Sequence, residues 1–284
     1  MAIFSNQATL TYNGGSASSN IAYGEILEVL AATKTAVEGT YSPDTLVTYA
    51  VTLRNTGTSA LNGISVTDDL GAYTVGTTTV YPLTYEAGSA TLFIDGVLQA
   101  APAVTAGPPL VFTGINLPGG SDAVLIYQAR TNAYADPGAT GVITNTATVT
   151  AAGLNVPVTA SETMNAAVAP VLTVSKSISP SQVVDNDRVT YTFIIQNTGN
   201  SDVEATDNAS IGDLFDPILS ALTVTFNGTA WSEGVEYTYN ATTGQFATAP
   251  GQIVVPAATY TQDPITGEYS LTPGTATLTV TGTI

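Results

Sequence analysis

Six side chains in this sequence have the types and positions that suit one reaction. Lys34, Asp68 and Asn145 each fall on the apolar side of a segment that alternates polar and apolar residues. Lys34 shares its side with Leu30, Ala32 and Ala36, Asp68 with Ile64 and Val66, and Asn145 with Ile143, Ala147 and Val149. A second set repeats the pattern: Lys176 with Leu172, Val174 and Ile178, Asp207 with Val203 and Ala205, and Asn6 with Phe4, Ala8 and Leu10. A lysine facing a core costs several kcal/mol if nothing compensates it, and two of only five basic residues occupy these equivalent positions.

Lys, Asn and a carboxyl group in a dry interior can form an isopeptide bond. Desolvation disfavours the charged forms of lysine and aspartate, so a neutral amine can face a protonated acid. The amine attacks the carboxamide carbon, the acid polarises the carbonyl and carries protons, and ammonia leaves. Each site reacts once, so this is autocatalytic maturation and not turnover. The expected pairing joins Lys34 to Asn145 within one chain, with Asp68 assisting. It joins Lys176 to Asn6 of a neighbouring chain, with Asp207 assisting. The competing reading is a buried Lys–Asp ion pair at each site, with Asn satisfying backbone groups.

The elements that must hold these residues form an internal repeat. Lys34-Thr35, Val47-Thr48-Tyr49 and Asn55-Thr56-Gly57 return 142 residues later as Lys176-Ser177, Val189-Thr190-Tyr191 and Asn197-Thr198-Gly199. Val66-Thr67-Asp68 is followed at nearly that interval by Ala205-Thr206-Asp207. Period-2 alternation at Val47, Tyr49, Val51 and Leu53, with turns at Asp95-Gly96 and Asn227-Gly228, predicts strands only. The expected fold is all-β: two tandem immunoglobulin-like β-sandwich domains, spanning 31–168 and 169–284, preceded by an N-terminal donor strand segment, 1–30.

The two repeats end differently. The first continues through Ile143 to Thr150 and a further strand near 156–160, whereas the second stops soon after Ala276 to Val280. Phe4-Ser5-Asn6-Gln7-Ala8-Thr9-Leu10-Thr11 matches Ile143 to Thr150 position by position. An unclosed sandwich exposes its core and a free edge. The segment carrying Phe4, Ala8, Leu10 and Tyr12 has nothing of its own to bury them in. Donation of that segment to the next molecule answers both needs and propagates head to tail as a homopolymer. Fold-back within one molecule competes, although the first domain stands between donor and groove. The other alternative makes residues 1–30 an extra edge strand of the first domain.

Composition removes other functions. A net charge of −17 with five Lys and Arg disfavours nucleic acid and anionic membranes. Absence of Cys and His excludes disulfides, thiolate and Ser-His catalysis, and most metal sites, so no enzyme, cofactor or metal is expected. No apolar run reaches transmembrane length, so no membrane insertion is expected. The start shows no leader, which implies either a removed leader or a route other than secretion. Asp185-Asn186-Asp187 reads as a polar turn before a strand more readily than a calcium site. Trp231, Tyr237 and Tyr239 read as a packed hairpin more readily than a sugar platform. Residues 220–265 differ most between the repeats. They are the expected recognition surface if the chain is instead an adhesin or a glycan- or protein-binding module.

The ordered set Lys-Thr, Val-Thr-Tyr, Asn-Thr-Gly, Val-Thr-Asp and Asn-Thr-Ala-Thr-Val-Thr resembles the conserved-repeat family of bacterial and archaeal surface proteins, catalogued as domain of unknown function eleven. The resemblance spans both domains. It implies an immunoglobulin-like sandwich outside the cell, on a bacterial cell or spore surface. In size the chain is similar to clostridial spore-appendage subunits.

Overall fold

The computed structural model describes residues 2–26, 29–152, 154 and 156–284. The chain opens with four short strands, β1 (Ala2–Asn6), β2 (Thr9–Tyr12), β3 (Gly15–Ser18) and β4 (Ala22–Ile26). They form one long hairpin in which β1 pairs β4 and β2 pairs β3, antiparallel. The strand expected over Phe4–Thr11 is broken in the middle. There the Gln7 side chain donates to Ser19 O (2.7 Å) and the Ala8 N–H donates to Ser19 Oγ (3.0 Å), replacing ladder bonds.

The next elements are β5 (Leu30–Ala36), β6 (Thr40–Tyr41), β7 (Leu46–Asn55), β8 (Leu61–Asp68), β9 (Tyr73–Val75), β10 (Thr78–Val80), β11 (Leu83–Tyr85), β12 (Thr91–Ile94), β13 (Val97–Leu98) and β14 (Ala103–Thr105). The long β15 (Leu110–Leu117), β16 (Asp122–Thr131), β17 (Val142–Thr150) and β18 (Val158–Ala166) complete a sandwich. One sheet runs β13-β12-β16-β7-β5; the facing sheet runs β14-β15-β8-β17-β18-β6. Alternation decides which side chains meet. Val47, Tyr49, Val51 and Leu53 of β7 and Ala123, Leu125, Tyr127 and Ala129 of β16 are all buried against Ile64, Val66, Phe112 and Ile115. Each large apolar side chain so buried contributes about 1.5–3 kcal/mol.

A second core follows from β19 (Leu172–Ser179), β20 (Arg188–Asn197), β21 (Gly212–Leu214), β22 (Ser220–Phe226), β23 (Thr229–Trp231), β24 (Tyr237–Asn240), β25 (Gln245–Thr248), β26 (Thr259–Gln262), β27 (Tyr269–Thr272) and β28 (Gly274–Thr283). Its main sheet, β19-β20-β28-β22-β23, copies the order β5-β7-β16-β12-β13. The facing layer is only β21-β25-β24. Among the described residues nothing corresponds to the β17–β18 pair. Each repeat turns on a buried asparagine. Asn55 Nδ2 donates to the carbonyls of Ser59, Leu117 and Pro118, and its Oδ1 accepts from the Gly57 N–H (3.0 Å). Asn197 does the same with Ser201 O and the Gly199 N–H (2.9 Å). A Cβ on Gly199 would collide with the Ala169 carbonyl, so glycine is a steric requirement in the second repeat, whereas at Gly57 the nearest atoms would lie 3.2 Å away.

The β26–β27 hairpin reaches back to the first core. Gln262 Nε2 donates to Tyr73 Oη (2.8 Å), and the Tyr269 N–H donates to Ala133 O (2.9 Å). Burial, with the Asp136 charge beside it, pushes the Tyr269 phenol from 10.0 up to about 12. The joint therefore favours the neutral phenol. Its contribution is complete below pH 10 and is lost as pH rises through about 12. Alkaline titration followed by tyrosinate absorbance should lose one late-ionising tyrosine in Tyr269→Phe; an unaltered trace would reject this assignment. No helix among the described residues is long and apolar enough to cross a membrane.

Candidate functional site

The first core holds Lys34, Asp68 and Asn145 in one place. Lys34 stands on β5 opposite Val51, Asp68 ends β8, and Asn145 sits on β17 two residues before Ala147, which pairs Asp68. Lys34 Nζ lies 2.5 Å from Asp68 Oδ2, with both side chains wholly shielded from solvent. Tyr49 and Tyr127 stack across the pair, with ring centroids 5.6 Å apart. Lys34 Nζ is 4.8 Å from the Tyr49 ring centre, and the Tyr127 hydroxyl donates to Asp68 Oδ2.

Burial at this site favours the neutral forms of Lys34 and of both tyrosines. Burial holds the Lys34 amine below its usual range, and the Asp68 charge opposes that shift without reversing it. Burial raises both phenols, so Tyr49 and Tyr127 remain protonated donors. The Asn145 amide lies beside both hydroxyls, yet Tyr127 gives its proton to Asp68 and Tyr49 points to Met164 Sδ. Asn145 Nδ2 and Oδ1 are buried and have no hydrogen-bond partner. An unsatisfied buried polar group costs about 1–3 kcal/mol, so a doubly orphaned amide needs an explanation.

The second set is arranged differently, which corrects one sequence expectation. The carboxylate against Lys176 belongs to Asp213, not Asp207: Lys176 Nζ pairs with Asp213 Oδ2. Asp207 closes a single 3-10 turn, Ala205–Asp207, where its carboxylate accepts from the Glu204 N–H (2.8 Å). That turn and the residues after it are extra relative to the first repeat. They delay the strand, so Asp213 on β21 arrives opposite Lys176. Ile211, Asp213 and Phe215 alternate on one side, a signal the motif match at Ala205-Thr206-Asp207 obscured. Lys176 Nζ also lies 4.6 Å from the Tyr191 ring centre and 5.3 Å from that of Phe215.

This second site is open. The Lys176 and Asp213 side chains are 39% and 18% exposed, against 0% for both Lys34 and Asp68. Leu172, Val174 and Ile178, which share the side of Lys176, are all exposed, and so is Leu214. Their counterpart Leu30 is buried, since β17 and β18 lie over β5 in the first core. Asn6 is not at Lys176 of its own chain. It pairs with Ala22 in the N-terminal hairpin, where Phe4, Leu10 and Tyr12 are 57%, 67% and 60% exposed and Ala8 is exposed too.

The remaining candidates resolve as structure. Trp231 stacks on Phe226, Tyr237 is buried against Phe246, and the Tyr239 hydroxyl bonds the Leu219 backbone. The Asp187 carboxylate accepts from the Val184 N–H (2.9 Å) and closes a turn. Sequence reasoning missed Tyr49 and Tyr127, although both fall on inward positions of alternating strands.

No protein-family model and no curated protein matches the chain, so the conserved-repeat and spore-appendage resemblances find no support there. Among solved structures, the chain is similar to BcpA, the major pilin subunit of Bacillus cereus: 12% identity over 96% of this chain and 73% of that one, TM-score 0.38. It is similar to the pilus backbone protein RrgB from Streptococcus pneumoniae at 11% identity, over 86% of this chain and TM-score 0.36. The chain spans about half (55%) of that structure's length. The collagen-binding subdomain of the Enterococcus faecalis surface protein ACE aligns over 49% of this chain and 99% of its own, at 9% identity and TM-score 0.31.

Proposed function

We propose that the chain is the repeating subunit of an extracellular fibre on a bacterial cell or spore surface. Subunits join head to tail by donor-strand complementation, and Lys–Asn bonds reinforce the fibre. One correspondence carries this reading. The two-strand unit that the second core lacks has a counterpart at the N-terminus, an antiparallel hairpin whose first half carries the Phe4–Thr11 match to Ile143–Thr150. In the first core Asn145 pairs Glu162 and Ile143 pairs Met164; in the free hairpin Asn6 pairs Ala22 and Phe4 pairs Gly24. The partners lie 17 and 21 residues apart in the first core and 16 and 20 apart in the hairpin, whose return strand is therefore shifted by one residue. The hairpin offers exposed Phe4 and Leu10, and the groove offers exposed Leu172, Val174 and Ile178. Joining them buries apolar surface on both partners and gives the free edge of β21 a ladder partner.

The contact joins different surfaces of like subunits, so it extends without limit unless its rotation closes a ring. The net charge of −17 keeps free subunits apart until that contact forms. In the first core the orphaned Asn145 amide supports a Lys34–Asn145 bond, with Asp68 assisting and Tyr127 holding the acid. The reaction turns the buried ammonium into a neutral amide, releases ammonia from Asn145 and leaves Asp68 as the neutral acid, so no buried charge remains. At the junction the bond runs from Lys176 to Asn6 of the neighbour. In a chain without Cys, such bonds supply the durability that disulfides give elsewhere.

Negative-stain microscopy of the purified protein tests the assembly. Fibres are expected from the full chain. Removal of residues 1–12 should abolish them while leaving two folded cores, because among the described residues no strand there pairs with either core. Fibres that persist without residues 1–12 would overturn the reading.

A further inference from the structure

We infer that Asp213 is the carboxylate that forms the Lys176–Asn6 bond, and that it acts only once the β1–β4 hairpin of a second copy covers it. The inference rests on the head-to-tail reading above and adds to it the acid, the order of events and a two-strand donor. Among the described residues, Asp213 is the one carboxylate paired with Lys176. It also occupies the right layer. In the first core Asp68 lies on β8, which pairs β15; Asp213 lies on β21, which pairs β25.

Solvent access separates the two sites. At Lys34 the seal comes from two strands: β17 beside β8, and β18 lying across β5. At Lys176 neither is present, and water reaches the ion pair. Water hydrates and screens such a pair, and a hydrated ammonium is no nucleophile. A single donor strand would bring Asn6 but not the cover. The hairpin brings both, since β3 and β4 return along β2 and β1 as β18 returns along β17. Ala8 stands to Asn6 as Ala147 stands to Asn145, and Ala147 is the residue that pairs Asp68. Ala22 stands opposite Asn6 where Glu162 stands opposite Asn145, so the donor places no acid directly across from the asparagine and the work falls to Asp213.

The step balances. On desolvation the Lys176 ammonium gives one proton to the Asp213 carboxylate, leaving an amine and an acid. The amine nitrogen attacks Asn6 Cγ while the acid protonates Oδ1. An amine proton passes through Asp213 to Nδ2, the Cγ–Nδ2 bond breaks, and ammonia leaves. The carbonyl returns its proton, and the product is a secondary amide. No oxidant or other reactant is needed. Because the bond requires a docked, sealed hairpin, a misplaced donor is released rather than welded in.

The test uses the full chain as Asp213→Asn and Asp207→Asn beside the parent. The parent and Asp207→Asn should form fibres that resist hot detergent and run as covalent ladders. Asp213→Asn should form fibres under the microscope that dissolve to monomer, with the ladder at least tenfold weaker. Asp213→Asn fibres that keep their ladder, or loss of the ladder in Asp207→Asn, would overturn the assignment and leave head-to-tail assembly standing. Parent protein that never forms fibres removes both. Intact mass of unassembled parent checks the gate independently of any variant's folding. Loss of one ammonia per monomer, with one more per junction in fibres, fits the gate; two losses in a monomer that never assembled would sink it.

Discussion

Unassembled protein is expected to weigh about 17 Da less than its sequence requires, and Lys34→Arg to restore the full mass. The deficit is the ammonia released when Lys34 joins Asn145. Arginine keeps the charge beside Asp68 but cannot give up its proton, so it supplies no nucleophile. Asp68→Asn should also restore the mass. It keeps the side chain's shape and removes the proton carrier that touches both Lys34 and Tyr127.

The stability effect is large because the bond spans most of the first sandwich, from β5 to β17. By the chain-entropy argument used for disulfides, a closed loop of about a hundred residues is worth about 4–5 kcal/mol. For domains of this size each kcal/mol moves the melting temperature by roughly 2–4 °C, so the first sandwich should melt on the order of 10 °C lower without the bond. Asn145→Ala separates the terms. It removes the electrophile and also the two orphaned amide atoms, so it should destabilise less than Asp68→Asn, which leaves Lys34 buried without its counter-charge. Parent protein of full mass, with Lys34 unmodified in a peptide map, would leave the site a buried ion pair and nothing more.

The parts of this architecture that depend on period and repetition were legible in the sequence. The alternation in β7 and β16 identifies the buried side chains, and Asn55 and Asn197 mark equivalent turns because the same local geometry needs the same asparagine. The Lys–Asp–Asn set of the first core follows from counting which side of each strand an ionisable residue occupies. The second set could not be completed that way. Counting from Lys176 carries the interval between repeats across Ala205–Asp207, where the chain makes a turn the first repeat lacks. Beyond that turn the interval is wrong, and the letters Ala-Thr-Asp match a motif whose backbone is not a strand. The tyrosines escaped for another reason. Tyr127 reads as an ordinary core residue, and only the facing sheet reveals that its hydroxyl meets Asp68. Its cross-strand counterpart opposite Tyr191 is Val280, so comparing the repeats gave no hint of its part.

Two variants that each fail to polymerise should together make dimers and stop. Val174→Asp puts a charge in the groove, and Phe4→Asp with Leu10→Asp puts charges on the donor hairpin. In the free chain these positions are 61%, 57% and 67% exposed, so the substitutions should leave its stability within about 0.5 kcal/mol of the parent. In the joined state each charge is enclosed without a partner, at a cost of several kcal/mol. At about 1.4 kcal/mol per tenfold change in affinity, that lowers junction strength by two orders of magnitude or more. The groove variant still carries a working hairpin, and the hairpin variant a working groove. Mixed one to one, they can form a single junction, after which the dimer presents only a spoiled groove at one end and a spoiled hairpin at the other. A small excess of either variant added to parent protein should cap fibres and shorten them, the groove variant blocking one end and the hairpin variant the other. Mixtures that grow beyond dimers would require a second interface. They would refute growth through one donor and one groove.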